Sequence, residues 1–151
     1  MTELNDTLKV TGMVTLRLFD AEGKLIHEQV NPNLVVSVGK SYLASWLAAA
    51  SQPGEFMSYV GLGTGTTPPS SGDTNLQTPL PTRVQGVLSS SSNTWQNQAT
   101  FPAGVDTNPA ITEAGLFSAA SGGTMFARNV FSAIPKGAGS SIIVVWQVQF
   151  N

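Results

Sequence analysis

The chain has no cysteine and one histidine, His27. The first absence excludes a disulfide framework and thiolate metal sites. The second excludes a histidine-rich zinc site and leaves His27 as the sole histidine for any Ser-His-Asp triad. Charge is scarce as well. Asp, Glu, Lys and Arg make up 11% of the residues, less than half of the ~25% usual in soluble domains. Net charge is −2 and no basic stretch occurs, so binding to nucleic acid through its phosphates is not expected. No apolar run approaches the ~20 residues of a membrane span. The start, MTELNDTLKV, lacks the basic and apolar parts of a secretory signal. These absences predict a chain made in the cytoplasm, with no membrane or nucleic-acid partner and no cofactor.

Ser, Thr, Asn, Gln and Gly fill the place of the missing charges. Uncharged polar groups hydrate a surface without repelling neighbouring copies, so such a surface tolerates close packing of subunits. A length of 151 residues suits one domain. The expected organisation is a flexible N-terminal arm over 1–7 and a single β-sandwich over 8–151.

Hydrophobic periodicity gives the fold class. Leu8, Val10, Val14, Leu16 and Leu18 alternate with Lys9, Thr11, Thr15 and Arg17, the period of a half-buried strand. Asp20 to Gly23 reads as a turn and Lys24 to Val30 as the returning strand, broken by Asn31-Pro32-Asn33. The period then changes. Val38, Tyr42, Trp46 and Ala50 recur every four residues, with Leu43 and Leu47 beside them. This predicts one amphipathic helix over 38–50, with Ser37 as N-cap and Gln52-Pro53-Gly54 as the stop. Further strands are expected at 56–62, 83–88, 94–101, 110–118, 124–131 and 142–150, with loops or turns at 63–82, 89–93, 102–109 and 135–139. In the last strand Ile142, Val144, Trp146, Val148 and Phe150 share one face and half of the other face is apolar, which predicts a central strand or one covered by another subunit. The whole reads as all-β, a β-sandwich or jelly-roll-like single domain.

Few residues suggest chemistry. Gly61-Leu62-Gly63-Thr64-Gly65 has the look of a phosphate loop, but Thr66-Thr67-Pro68-Pro69 follows where a helix N-terminus would be needed. The glycines are better explained by a strand that leaves the sheet through residues needing free backbone geometry. His27 lies mid-strand and no Gly-x-Ser-x-Gly elbow is present. Asp73, Asp106 and Glu113 match no calcium-loop spacing, and the acids form no close pair for glycoside hydrolysis. No catalytic, cofactor-binding or metal-binding residue is therefore assigned, and a non-enzyme is expected. Glu113 lies between apolar residues and needs a cation or backbone donors if buried. Arg83 and Arg128 are its candidate ion-pair partners. Trp46 and Trp146 fit core stripes, and Trp95, among polar residues, is expected to be exposed enough for a ligand or a partner. With Thr66, Pro68, Pro69 and Asp73 of the proline-rich loop, in which Asp73 is the one charge before Arg83, Trp95 makes up the expected partner-contact set.

Three segments carry a resemblance: Tyr59 to Thr74 (YVGLGTGTTPPSSGDT), Ile111 to Arg128 (ITEAGLFSAASGGTMFAR) and the closing SIIVVWQVQF. They resemble segments of small virion proteins of tailed bacteriophages, of the capsid decoration (cement) type or the fibre and tail accessory type. The resemblance implies a structural protein of the virion, made in the bacterial host cytoplasm. Its partner would be the major capsid protein or another virion protein, and it would itself be a homo-oligomer, a trimer by preference. The alternatives are a tail or fibre accessory protein and, in a different class, a carbohydrate-binding module.

Overall fold

The computed structural model describes residues 7–51 and 56–151. Among them the chain forms nine strands and one helix, the all-β architecture with a single helix that the periodicities predict. The expected arm and the Gln52-Pro53-Gly54 helix stop lie outside the described residues, apart from Thr7, which is exposed.

β1 (Val10–Phe19) and β2 (Leu25–Val35) form a hairpin. Its turn is fixed by Asp20, whose Oδ1 accepts the N–H groups of Glu22 and Lys24. After α1 (Ser37–Ala48) come β3 (Tyr59–Gly63), β4 (Pro79–Gln85), β5 (Val87–Ser91), β6 (Thr94–Phe101), β7 (Asn108–Phe117), β8 (Met125–Lys136) and β9 (Ser141–Phe150). All pairings are antiparallel, in the order β4-β3-β7-β8-β2-β1-β9-β6-β5. The ladder between β2 and β8 is short, with Leu34 and Val35 opposite Arg128 and Ala127. The sheet folds over at that narrow junction into two layers. Its two ends, β4 and β5, are consecutive in sequence and joined at Gly86, whose N–H donates to Ser58 O at 2.7 Å.

The main core lies between the layers. Val14, Leu16, Val144 and Trp146 from one layer meet Val60, Leu62, Ile111 and Leu116 from the other, all completely buried. Each such side chain contributes roughly 1.5–3 kcal/mol of burial. β9 is central, between β1 and β6, which accounts for its two apolar faces. A second, smaller core of Val36, Leu76, Phe117 and Met125 packs elsewhere. Leu76 belongs to the 64–78 loop, so this loop helps build the domain rather than merely decorate it.

Several boundaries differ from expectation for identifiable reasons. β2 runs through Asn31-Pro32-Asn33. The Pro32 carbonyl accepts a bond from the Asn129 side chain, on the side away from β1. A strand residue's nitrogen points the same way as its carbonyl, so the missing N–H of Pro32 costs no ladder bond. The expected single strand over 83–88 is two strands, because Gly86 carries the chain from one layer to the other. A Cβ at Gly86 would lie 1.7 Å from Asn97 Oδ1. The expected turn at 89–93 is mostly β5, and the reversal is confined to Ser92 (φ 54) and Asn93. β8 continues past Phe131 through Pro135 to Lys136. Ser37 is not the helix cap. Val36 holds that position without a side-chain bond, and the Ser37 N–H instead donates to Ser71 O at 2.8 Å. The inward helix face is the buried Gly39 with the half-buried Tyr42, Leu43 and Trp46, while Val38, Leu47 and Ala50 are exposed. Gly39 sets this orientation: a Cβ there would lie 2.4 Å from Phe126 O, so only glycine lets α1 lie this close to β8.

Candidate functional site: a loop fixed by a buried charge pair

β7 is buried at every position from Ile111 to Phe117. One of its faces looks into the main core. The other presents Glu113 and Phe117 to the segment between β3 and β4, residues 64–78. Covering a carboxylate this way demands compensation, because an unpaired buried charge is very costly. Glu113 is completely buried and receives five hydrogen bonds. Its Oε1 accepts the N–H of Gly65 at 3.0 Å and of Thr78 at 2.8 Å. Its Oε2 accepts the N–H of Gln77 at 3.1 Å, and Nε and Nη2 of Arg128 at 3.0 and 2.9 Å. Arg128 is 1% exposed. Its other two hydrogen bonds go to the loop, with Nη1 on Asp73 Oδ2 at 2.9 Å and Nη2 on Thr67 O at 3.1 Å. Asp73 Oδ2 in turn accepts the Ser70 N–H at 2.9 Å. The Thr112 hydroxyl closes the set by donating to Gly65 O at 2.8 Å.

The glycines of the Gly61-Leu62-Gly63-Thr64-Gly65 run find their reason here. A Cβ on Gly63 would stand 2.5 Å from Glu113 Oε1 and 2.6 Å from Thr78 O, and one on Gly65 2.6 Å from the same Oε1. Gly61, Gly63 and Gly65 have no positive φ, so the run serves close approach to the protein's own carboxylate rather than the free backbone geometry expected of it. Gly61 and Gly115 face each other across the β3–β7 ladder and leave room for Leu76 and Phe117.

Of the two arginines expected beside Glu113, Arg128 makes the pair and Arg83 does not. Arg83 lies over the Phe117 ring, with Cζ 3.5 Å from the centroid, and its Nη1 donates to Ala119 O and Gly122 O at 3.0 and 2.7 Å. Partial burial lowers its pKa. Arg83 thus ties the β7–β8 turn to β4. Asp73, expected as a partner contact, is a clamp residue with a side chain 25% exposed. Asp73 and Glu113 do come together, but on Arg128 rather than around a space for a cation. Thr66 and Pro68 are exposed and Pro69 is half-buried. They form the outer part of a loop whose base is fixed. Trp95 is half-buried against the main core, because its ring closes one side of a cavity under α1 rather than facing solvent.

Two features carry no clear mark in the sequence. The first is this cavity, of about 320 Å³, whose lining among the described residues includes Tyr42, Trp46, Phe56, Trp95, Phe126 and Phe150. The second is Lys136, 1% exposed, whose Nζ donates to Pro102 O at 2.9 Å. Burial lowers the Lys136 pKa, and Asp106 nearby opposes that. Asp106 sits at φ 47. Burial raises its pKa against the opposing effects of hydrogen bonds from Thr82 and the charge of Lys136.

The clamp has every guanidinium nitrogen and both Glu113 oxygens engaged, so its chemical capacity is to hold the loop. No protein-family model, curated protein or solved structure matches this chain.

Proposed function

We infer that this chain is a non-enzymatic structural subunit of a tailed-phage particle that binds the assembled capsid as a decoration protein. The observation that supports the reading is the 64–78 loop. Its one charge, Asp73, is spent on Arg128, so it offers a partner an uncharged polar tip on a fixed base. An ordered loop loses less entropy on docking than a free one. The scarcity of charge over the rest of the chain favours the close packing of copies that a shell surface requires, and the resemblance of three segments to phage virion proteins supplies the kind of partner. The mechanism is mass action: a subunit that binds the assembled shell and not its separate parts stabilises the shell.

The test is the location and copy number of the protein on purified particles by electron microscopy. Many symmetric copies on the head are expected. Density at the tail alone would replace decoration by a tail accessory role, and absence from the particle would end the virion reading.

A further inference from the structure

One layer of the sandwich, β5-β6-β9-β1-β2, has an outer face that takes part in neither the core nor the clamp. Register gives its composition. Residues two apart along a strand share a face, so those out of phase with the buried Val14, Leu16, Val144 and Trp146 point outward. One row crosses all five strands, from Val87 through Gln98, Val145 and Thr15 to Val30. The next runs from Ser89 through Gln96, Gln147 and Met13 to Pro32. Val87, Val30 and Met13 are 74%, 55% and 46% exposed. From the row of Thr11 to the row of Arg17 the face holds two charges, Arg17 and Glu28, and these pair with each other at 2.6 Å. Every other position in those rows is apolar, hydroxyl or amide.

Charge, chemistry and area together choose the partner. The face has no net charge, so a partner held by charge has nothing to grip, while a second copy is not repelled. Its polar part is rich in glutamine, with Gln96, Gln98, Gln147 and Gln149 all on it. An amide carries both donors and an acceptor, so a glutamine-rich face is complementary to itself. The area also suffices. Five strands at ~4.8 Å spacing span about 24 Å, and Thr11 to Arg17 covers about 24 Å along the strand. The footprint is roughly 550 Å² per copy and about 1,100 Å² for a pair, above the ~1,000 Å² of a specific interface. We propose that this face docks a second copy of the chain, sheet on sheet, as the two layers of a sandwich pack. Such a contact is isologous and closes at two copies. The species it makes is a dimer, and the inference does not rest on the phage reading.

The experiment is analytical ultracentrifugation of the purified full chain over a series of concentrations, with no particles present. A monomer–dimer equilibrium is expected. Met13→Glu and Val30→Glu each bring like charges from both copies into the contact, and a buried unpaired charge is costly. Each should weaken the dimer by about 10-fold or more. Both positions are exposed, and circular dichroism checks that the fold survives. Met13→Thr and Val30→Thr are the milder variants should the first pair fail to fold, with a smaller loss in the same direction. Leu47→Glu is the control, on α1 and 81% exposed, and should leave the dimer unchanged. A wild type that stays monomeric up to about 1 mM would overturn the proposal, as would a trimer with no dimer. Association that both face variants leave intact would overturn it too. Loss in Leu47→Glu alone would move the contact to α1, and equal loss in all three would assign the effect to added charge; either result overturns the proposal.

Discussion

Arg128 places two nitrogens, Nε and Nη2, on a single oxygen of Glu113, at 3.0 and 2.9 Å. The other Glu113 oxygen is thereby left for the backbone of Gly65 and Thr78. The carboxylate is thus divided between a cation on one strand and the two roots of a loop. Glu113→Gln should disturb both at once. An amide can keep one acceptor oxygen, but its NH₂ must then face either the guanidinium or the Gly65 and Thr78 N–H groups, donor against donor. Breaking a buried pair costs about 3–5 kcal/mol, and a loss of that order in denaturant-derived stability is expected. Replacing both partners, Glu113→Leu with Arg128→Leu, should recover little of it. The N–H groups of Gly65, Gln77 and Thr78 would still lose their acceptor. Recovery to near wild type would show that the backbone donors contribute little.

Gly65→Ala tests the same centre without touching a charge. The added methyl would lie 2.6 Å from both Glu113 Oε1 and Gln77 Cβ, so one of them must move. Overpacking of this kind costs typically about 1–3 kcal/mol. Faster amide hydrogen exchange at Gln77 and Thr78 is expected, with β1 and β9 unaffected. Unchanged protection at those two amides would show that the carboxylate can shift without releasing the loop.

Much of this architecture was legible from periodicity. β1 alternates because one of its faces lies in the core, β6 alternates only weakly, β9 is apolar on one whole face and half of the other, and the shift to period four marks α1. The limits of β2 and β8 were not legible, because Pro32 and Pro135 fall where a strand needs no inward N–H or runs as an extension, a context no local pattern carries. The site was half legible. Glu113 amid apolar neighbours announced a buried carboxylate, but its partner depended on register: Gly115 faces Arg128 across β7 and β8, whereas Arg83 faces Gly61 on β3. The loop's part was illegible, since its contribution is mostly backbone N–H, which every sequence has. The aromatic cavity was hidden likewise, its rings coming from segments as distant as Tyr42 and Phe150.

Asp106 predicts a pH dependence. Burial raises its pKa above the ordinary carboxylate value, despite Thr82 and Lys136. A carboxyl whose folded pKa is raised binds its proton more tightly in the folded state. The stability it contributes is present below the unfolded pKa and is lost as pH rises through the folded one. Asn tolerates the positive φ of this position, so Asp106→Asn isolates the charge. The variant should melt higher than wild type at pH 7, and the gap should close as the pH falls below the carboxylate range. A variant that melts lower at pH 7 would mean that pairing with Lys136 outweighs desolvation.

The assembly reading rests on the outer loop and is tested there. Thr66 and Pro68 are exposed, and neither side chain takes part in the Glu113–Arg128–Asp73 clamp. Thr66→Lys and Pro68→Lys should therefore leave the melting temperature near wild type, since exposed substitutions away from special features usually change stability by no more than about 0.5 kcal/mol. A charge buried at a packed subunit contact is costly, so both variants should bind particles poorly. Glu22→Lys supplies the control. It lies on the β1–β2 turn, also exposed, and changes charge in the same sense. Comparing the three separates a local contact from a general effect of added positive charge. Loss of binding in the two loop variants alone would place the contact at the loop tip. Equal loss in all three would assign the effect to overall charge, and full binding by both loop variants would move the contact to another face of the sandwich.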